Sequence, residues 1–543
     1  MSLLGPARAG AVALALLSLL ARGAAAQSDS DAREAAIFGG PAESASSTTA
    51  TVSSQPSRDD AIFGESGGGS SAESSAGADR DRDAGALGPE TSAGLVEERL
   101  RESADYLAIG GLIWLRLQYN GLDADHPSTF PLDSPNFADV YFDARPNDRV
   151  RGYARGRLRL DPTVREGQVN AFGQVEQTTQ VQLDQLWLKF DIDRFLFVTL
   201  GKERLKWGVG RFWNPTDFLN QETLDPLGGV ALFDERLGVN LLKLHLPIES
   251  LGWNFYAAAS TDQAVSPDHL GGVLKAEILV AQTEVSVSVA GRKDNPARLG
   301  ATVSTGLWLF DLRAEVGLQH GNRSTFLRGT CAPASAIADI NSGNLPEGFI
   351  ENPSLDAFPA LGTAYSRRED WIPQILGGAE LGLNYGDGDV VYVGAEYFFN
   401  DAGYDDSSLY PCLAARGGFT PFHLGRHYAA AYVLFPQPGL WNDTTFILSS
   451  LANLSDLSNV TRVDYRVKVL TYLDVNAFAS VSLGQAGDEF TFATKLDPVT
   501  LPAGTPPEVA ARLAADPRFA LLLSGLEVPK PIFQVGFGLS LAY

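Results

Sequence analysis

Past its first 26 residues the 543-residue chain has no run of about twenty apolar residues, the length a helix needs to span a bilayer. It carries only two cysteines, six histidines and one methionine, so neither a disulfide-dense scaffold nor a thiolate metal cage can be built. The histidines (His126, His245, His269, His320, His423 and His427) show no metal-ligand spacing such as H-E-x-x-H, and His423 and His427 fall at a loop–strand junction. No G-x-S-x-G elbow, P-loop or dinucleotide fingerprint occurs. The expectation is a protein that is not an enzyme and uses neither cofactor nor metal. Basic residues are scarce too, 42 against 65 acidic, for a formal charge of −23. Nucleic-acid binders need a clustered basic surface, so that partner is excluded.

What is present begins with an export leader. Arg8 precedes an apolar run from Gly10 to Ala21, then Gly23-Ala24-Ala25-Ala26 before Gln27. A positive start, an apolar stretch too short to span and small residues at the cleavage site mark residues 1–26 as a signal peptide. No cysteine follows that could carry a lipid. Residues 27–95 are rich in Ser, Ala, Gly, Asp and Glu and cannot bury enough apolar surface to offset the entropy of folding. They are expected to be a disordered acidic tail in the periplasm, ending in a short helix over Ser92 to Ala104. Inside the tail Ile37-Phe38-Gly39 recurs as Ile62-Phe63-Gly64, either a docking motif for a periplasmic partner or a chance duplication.

From Tyr106 the pattern turns to period two. Arg462, Asp464, Arg466 and Lys468 alternate with Val463, Tyr465, Val467 and Val469; Asp311, Arg313 and Glu315 alternate with Phe310, Leu312 and Ala314. Successive strand side chains point to opposite faces, so each segment has one apolar and one ionised face. About ten alternating residues between turns is the sign of a transmembrane barrel, apolar face to lipid and polar face to lumen. Links alternate short and long, with long ones near 120–137, 162–177, 208–235, 263–269, 293–297, 323–374, 401–424, 456–459 and 487–532. Short periplasmic turns and long external loops are the barrel habit. The reading is an all-β antiparallel transmembrane barrel over residues 96–543, with 18 strands, or 16 if the weak segment Asp139 to Ala144 is no strand. Its place is the bacterial outer membrane, among lipid and lipopolysaccharide. At the end, Phe533, Val535, Phe537, Leu539, Leu541 and Tyr543 occupy every second position, resembling the terminal signal taken up by the barrel-assembly machinery.

Three successive segments place Arg151, Arg155, Arg157 and Arg159, then Lys189, then Lys202, Arg204 and Lys206 opposite apolar residues. Charge on the lipid face is costly, so these eight are expected to form a basic wall in the lumen. Local pairing with Asp161, Asp184 and Asp191 is the plainer alternative. The loop that follows carries Trp207, Arg211, Asn214, Asp217, Glu222 and Asp225. Folded inward, its acids would face the basic wall across a constriction, as charged rows do in selective pores. Gly201-Lys202-Glu203-Arg204 running into Trp207-Gly208-Val209-Gly210-Arg211-Phe212-Trp213-Asn214-Pro215-Thr216-Asp217 resembles a group of outer-membrane porin-like and alginate-export-style barrels with a W-G-x-G-x-x-x-N-P-T-D loop. That resemblance implies a channel and names no solute. Cys331 and Cys412 fall in two external loops and are expected to form a disulfide. Residues Pro506-Pro507-Glu508 open a helix in the last loop, placed to cap the mouth. Two functions fit: passive diffusion of small hydrophilic, anionic or dipolar solutes, or a barrel anchor or export channel of a trans-envelope assembly docked through the tail.

Overall fold

The structure, a computed structural model, describes residues 106–123, 130–166, 177–219 and 237–543, except 263, 294, 345, 347–348, 350–353, 387–388, 417, 502–504, 506, 516–522 and 524. The leader, the tail with Ile37, Phe38, Ile62 and Phe63, and the loop residues Glu222 and Asp225 lie outside these. Eighteen long strands follow one another round a closed cylinder. They are β1 (Leu107–Leu122), β2 (Asn136–Asn147), β3 (Val150–Leu160), β4 (Thr179–Ile192), β5 (Leu196–Glu203) and β6 (Val239–Ile248). Next come β7 (Trp253–Ser260), β8 (Gly271–Val280), β9 (Thr283–Gly291), β10 (Ala297–Leu307), β11 (Phe310–Cys331) and β12 (Leu361–Tyr385). The round is completed by β13 (Asp389–Asn400), β14 (His427–Pro436), β15 (Thr444–Asn453), β16 (Ser458–Leu470), β17 (Leu473–Leu483) and β18 (Pro531–Ala542). The weak segment at Asp139 is a full strand, so the larger count holds.

Every neighbour pair is antiparallel, and β18 closes on β1 from Leu112↔Ala542 to Leu122↔Pro531. Closure leaves no unpaired backbone edge, which a strand in hydrocarbon cannot tolerate. The two faces are as different as the alternation requires. On β11, Glu315 is fully buried while Val316 is 43% exposed; on β16, Asp464 is buried and Val463 exposed. Leu115, Leu117, Val181, Leu186 and Phe537 cover the outside, whereas Ser449, Asn453, Asn476 and Ser540 sit inward and buried. Large exposed Trp308, Trp441 and Tyr472 mark the end with short turns, the level at which aromatic rings meet the membrane interface. This is a transmembrane barrel.

Between the long loops the strands are joined by short links, such as those after Asn147, Val280 and Leu307. One anticipated long link is not as long as expected: β11 runs on to Cys331 and β12 starts at Leu361, leaving the external loop at 332–360 rather than 323–374. Register shifts after His320, Asn322 and Arg328 break the period-two pattern there, which hid the outer halves of both strands. Above the barrel, α1 (Pro333–Asn341), α2 (Tyr410–Ala415) and α3 (Pro507–Ala515) share a second apolar core of Ile337, Ile340, Phe358, Leu413, Phe419 and Leu513. The Cys331–Cys412 disulfide, Cα atoms 5.9 Å apart, ties the two loops that contribute most to it.

Candidate functional site

Residues 205–219, between β5 and β6, turn into the barrel and become as buried as a core. Trp207, Val209, Phe212, Trp213 and Phe218 are each under 8% exposed. The segment leaves β5 beside Tyr256 and Lys275, whose Nζ donates to the Trp207 carbonyl at 3.4 Å. It then travels along the wall as far as β14, nine strands further round. There it makes a tight reversal, since a Cβ on Gly210 would meet the Trp213 carbonyl oxygen at 1.9 Å.

The wall holds this excursion by its backbone. Glu315 of β11 accepts from the N–H groups of Val209, Gly210 (2.5 Å) and Thr216 (3.3 Å) and from the Thr216 hydroxyl (2.8 Å). Glu396 of β13 accepts from the N–H groups of Arg211 (2.7 Å) and Phe212 (2.9 Å), and pairs with Arg313 at 2.8 Å. The Arg211 side chain meets Glu380 at 3.3 Å and lies 4.2 Å over the Tyr432 ring, whose hydroxyl donates to the same carboxylate. Trp213 stacks on Phe398 at 5.2 Å, its indole N–H donating to the Phe422 carbonyl at 3.2 Å. Buried carboxylates that accept several N–H bonds are satisfied, and they fix the segment as firmly as secondary structure would.

The described half of the loop carries one of the expected acids, Asp217, and does not set it against the basic row. It lies on β6–β14, where the acids belong to the wall and the loop offers N–H groups and Arg211. Asp217 faces Arg298 of β10.

Along β2–β5 the arginines are laced with carboxylates. Asp139 takes Arg155 at 2.5 Å and Arg157 at 2.7 Å; Asp143 takes Arg151 at 2.9 Å and Arg145 at 2.8 Å. Asp184 takes Arg204 at 2.6 Å, with Arg155 and Arg157 at 3.6 and 3.7 Å. It reaches them because β4 bulges: Arg155 pairs with Gln185 and Gly156 with Leu183, leaving Asp184 as the extra residue, and bulges re-aim side chains. Arg159 continues the row opposite Gln180, and Lys189 lies 5.2 Å from the Phe197 ring. Lys206 stands in the buried lead-in to the loop. Lys202 departs from the row: it pairs with outward-facing Leu186 and donates to the Leu183 carbonyl at 2.7 Å. Of the acids named from sequence as partners, Asp184 joins the row. Asp161 holds Thr163, and Asp191 holds Arg149 at the short-turn end.

No family model matches the chain, and no curated protein does. Solved structures that resemble it include OpdK of Pseudomonas aeruginosa with vanillate, at 9% identity and TM-score 0.42, covering 80% of this chain and 98% of that one. A BenF-like porin from Pseudomonas fluorescens Pf-5 gives 8% identity and 0.44, covering 80% and 99%. Pseudomonas putida OprB gives 8% and 0.41, covering 83% and 97%. At that identity no residue can be carried across, and the site has to be read from this barrel's own walls.

Glu315, Glu380, Glu396 and Tyr432 are functional-site residues that motif reading did not single out, along with Asp139 and Asp143. Their alternation with apolar neighbours put them on the inner face. Nothing local told which loop backbone they would meet, because that depends on where the cylinder closes.

Proposed function

We propose that the chain is a porin-like outer-membrane channel through which small hydrophilic solutes diffuse passively, narrowed by the inserted segment 205–219 and carrying anions somewhat better than cations. The observation that carries this reading is the closed cylinder of eighteen strands, whose inner face carries ionised and amide side chains and is apolar where the inserted segment packs on Leu376, Phe398 and their neighbours. A cylinder of 16–18 strands is too wide to be filled by its own side chains and leaves a water passage. The inserted segment is braced on one wall and shares the cross-section with the arginine row opposite. On that row the cationic groups Arg151, Arg155, Arg157, Arg204 and Lys189 outweigh Asp139, Asp143 and Asp184. Insertion through the assembly machinery would use β18, whose alternating apolar face ends beside Tyr543.

Liposome swelling tests the reading. Vesicles containing the purified protein should swell in isotonic glycerol and small amino acids, more slowly in larger sugars, and faster in a small organic anion than in a cation of equal size. Vesicles that behave like protein-free controls in every solute would contradict it.

A further inference from the structure

We propose that the outer ends of β6–β10 carry a binding site for a short organic carboxylate, held by Arg292 and Arg298. The proposal deepens the channel reading and rests on it for its purpose, since a solute caught there stands beside the inserted segment. The cavity measures about 370 Å³, inside the roughly 300–1,000 Å³ span of small-molecule sites. Phe218 and Leu219 of the inserted segment form one side; Asn240, Ser260, Gly271, Gly291 and Arg298 bring the ends of the five strands to the other.

Charge selects the class. Elsewhere on the inner wall, Arg151, Arg155, Arg157, Arg204 and Arg313 each meet a carboxylate at 2.9 Å or less. Arg292 and Arg298 form no ion pair with a described residue. Asp217 acts on Arg298 as a charge at longer range. The one described carboxylate of the lining, Asp262, is already engaged: its oxygens accept from the Asn240 N–H at 3.0 Å and from Asn240 Nδ2 at 2.6 Å. Lys202, at the edge, donates to the Leu183 carbonyl at 2.7 Å and adds a further positive charge. The surplus is cationic, and an anion is what it can take.

The two guanidiniums are set for the task. Arg298 stands half-buried on β10, opposite Ala290 on one side and Gln319 on the other, with the Phe218 ring 6.0 Å away. Arg292 donates from Nη2 to Ser260 Oγ at 3.4 Å and lies over Gly271, where a Cβ would stand 3.1 Å from its Nε and Nη2. The remaining N–H groups of each fork match the paired oxygens of a carboxylate. Phe218, Leu219, Val239 and Val273 line the same cavity with carbon. A bare inorganic ion would leave that surface wet, whereas a short alkyl body would cover it.

Calorimetric titration of the full-length protein in detergent at low ionic strength, with butyrate, butyramide and inorganic phosphate as probes, tests the site. Butyrate should bind saturably and more tightly than phosphate, and butyramide should give no measurable heat of binding. In variants that keep the barrel's circular-dichroism spectrum, Arg292→Gln and Arg298→Gln should each weaken butyrate by about tenfold or more, the scale of one charge-assisted hydrogen bond. Arg149→Gln, at the short-turn end, should keep the wild-type affinity. Absence of saturable butyrate binding, phosphate or butyramide binding at least as tightly, unchanged affinity in either cavity variant, or an equal loss in Arg149→Gln would overturn the proposal. Butyrate binding to a protein that passes no current in a planar bilayer would support the site and sink the channel reading; current without butyrate binding would do the reverse.

Discussion

At the scale of the residue, one extra amino acid in a strand does much of the electrostatic work. Asp184, displaced inward by the bulge on β4, sits among Arg155, Arg157 and Arg204, and Arg157 is only 1% exposed. Removing one member of such a cluster leaves buried charge uncompensated, which costs on the order of 3 kcal/mol. Asp184→Asn should lower stability by about that much in urea unfolding from lipid vesicles and should shift the reversal potential in a salt gradient further towards anions. A second residue, Glu489, belongs to the last external loop. It accepts from Phe422 N–H, the Tyr428 hydroxyl and Asn453 at 2.5, 2.7 and 2.8 Å. Burial lifts its carboxyl from 4.5 to about 8; the charge of Asp456 adds to the rise, and the hydrogen bonds oppose it. Tyr410 and Asp488 complete the titratable surroundings. The folded pKa exceeds the unfolded one, so this group's contribution to stability is complete below 4.5 and is lost as pH climbs through about 8. Amide protection factors over residues 485–496, corrected for intrinsic exchange, should therefore be lower at pH about 9 than at about 6, and Glu489→Gln should flatten the difference.

At the scale of the element, the inserted segment is held to the barrel wall by carboxylates, as the proposed constriction requires. Glu315→Ala would orphan the N–H groups of Val209, Gly210 and Thr216, at about 1–3 kcal/mol for each group left unpaired. The expected result is a channel of larger and noisier conductance with an unchanged barrel circular-dichroism spectrum; unaltered, quiet steps would show that the segment does not narrow the passage. Gly317 sets how closely the segment lies, because a Cβ there would meet the Pro215 carbonyl oxygen at 2.4 Å. The disulfide acts on a different element. It links cysteines 81 residues apart, which the chain-entropy model values at roughly 4 kcal/mol. Cys412→Ser should make the outer loops readily cleaved by protease while the strands stay protected. Strands, turns and the inner faces were legible in the sequence, because side-chain alternation is a local property. The arginines of β3 follow the same alternation, while Lys202 pairs with outward-facing Leu186 and the chain turns into the barrel beyond it. The ion-pair partners Asp139 and Asp143, and the wall glutamates that grip the loop, were not legible as partners. The ion pairs join residues 2 to 18 positions apart across one hairpin, and the loop contacts join residues 99 to 185 positions apart, which only the assembled barrel sets side by side. On β11 and β12, three register shifts broke the alternation itself.

At the scale of the whole molecule, solvent decides which face of each strand is apolar. A chain with no spanning helix among its described residues covers its outside with Leu, Val and Phe and keeps its ionised and amide groups inside, beside apolar patches under the inserted segment. A closed strand cylinder is the arrangement that satisfies the backbone in lipid while keeping those groups wet. The acidic tail over residues 27–95 lies outside that argument. Deleting it should leave conductance unchanged, and a truncated barrel that no longer conducts would give the tail a part in the passage. The most direct measurement is planar-bilayer recording of the purified, detergent-solubilised protein. Stepwise, ohmic current increases as single barrels insert are predicted, with a zero-current potential displaced towards the anion in a potassium chloride gradient. A protein that inserts into the bilayer and passes no current would contradict the wet, conducting cylinder.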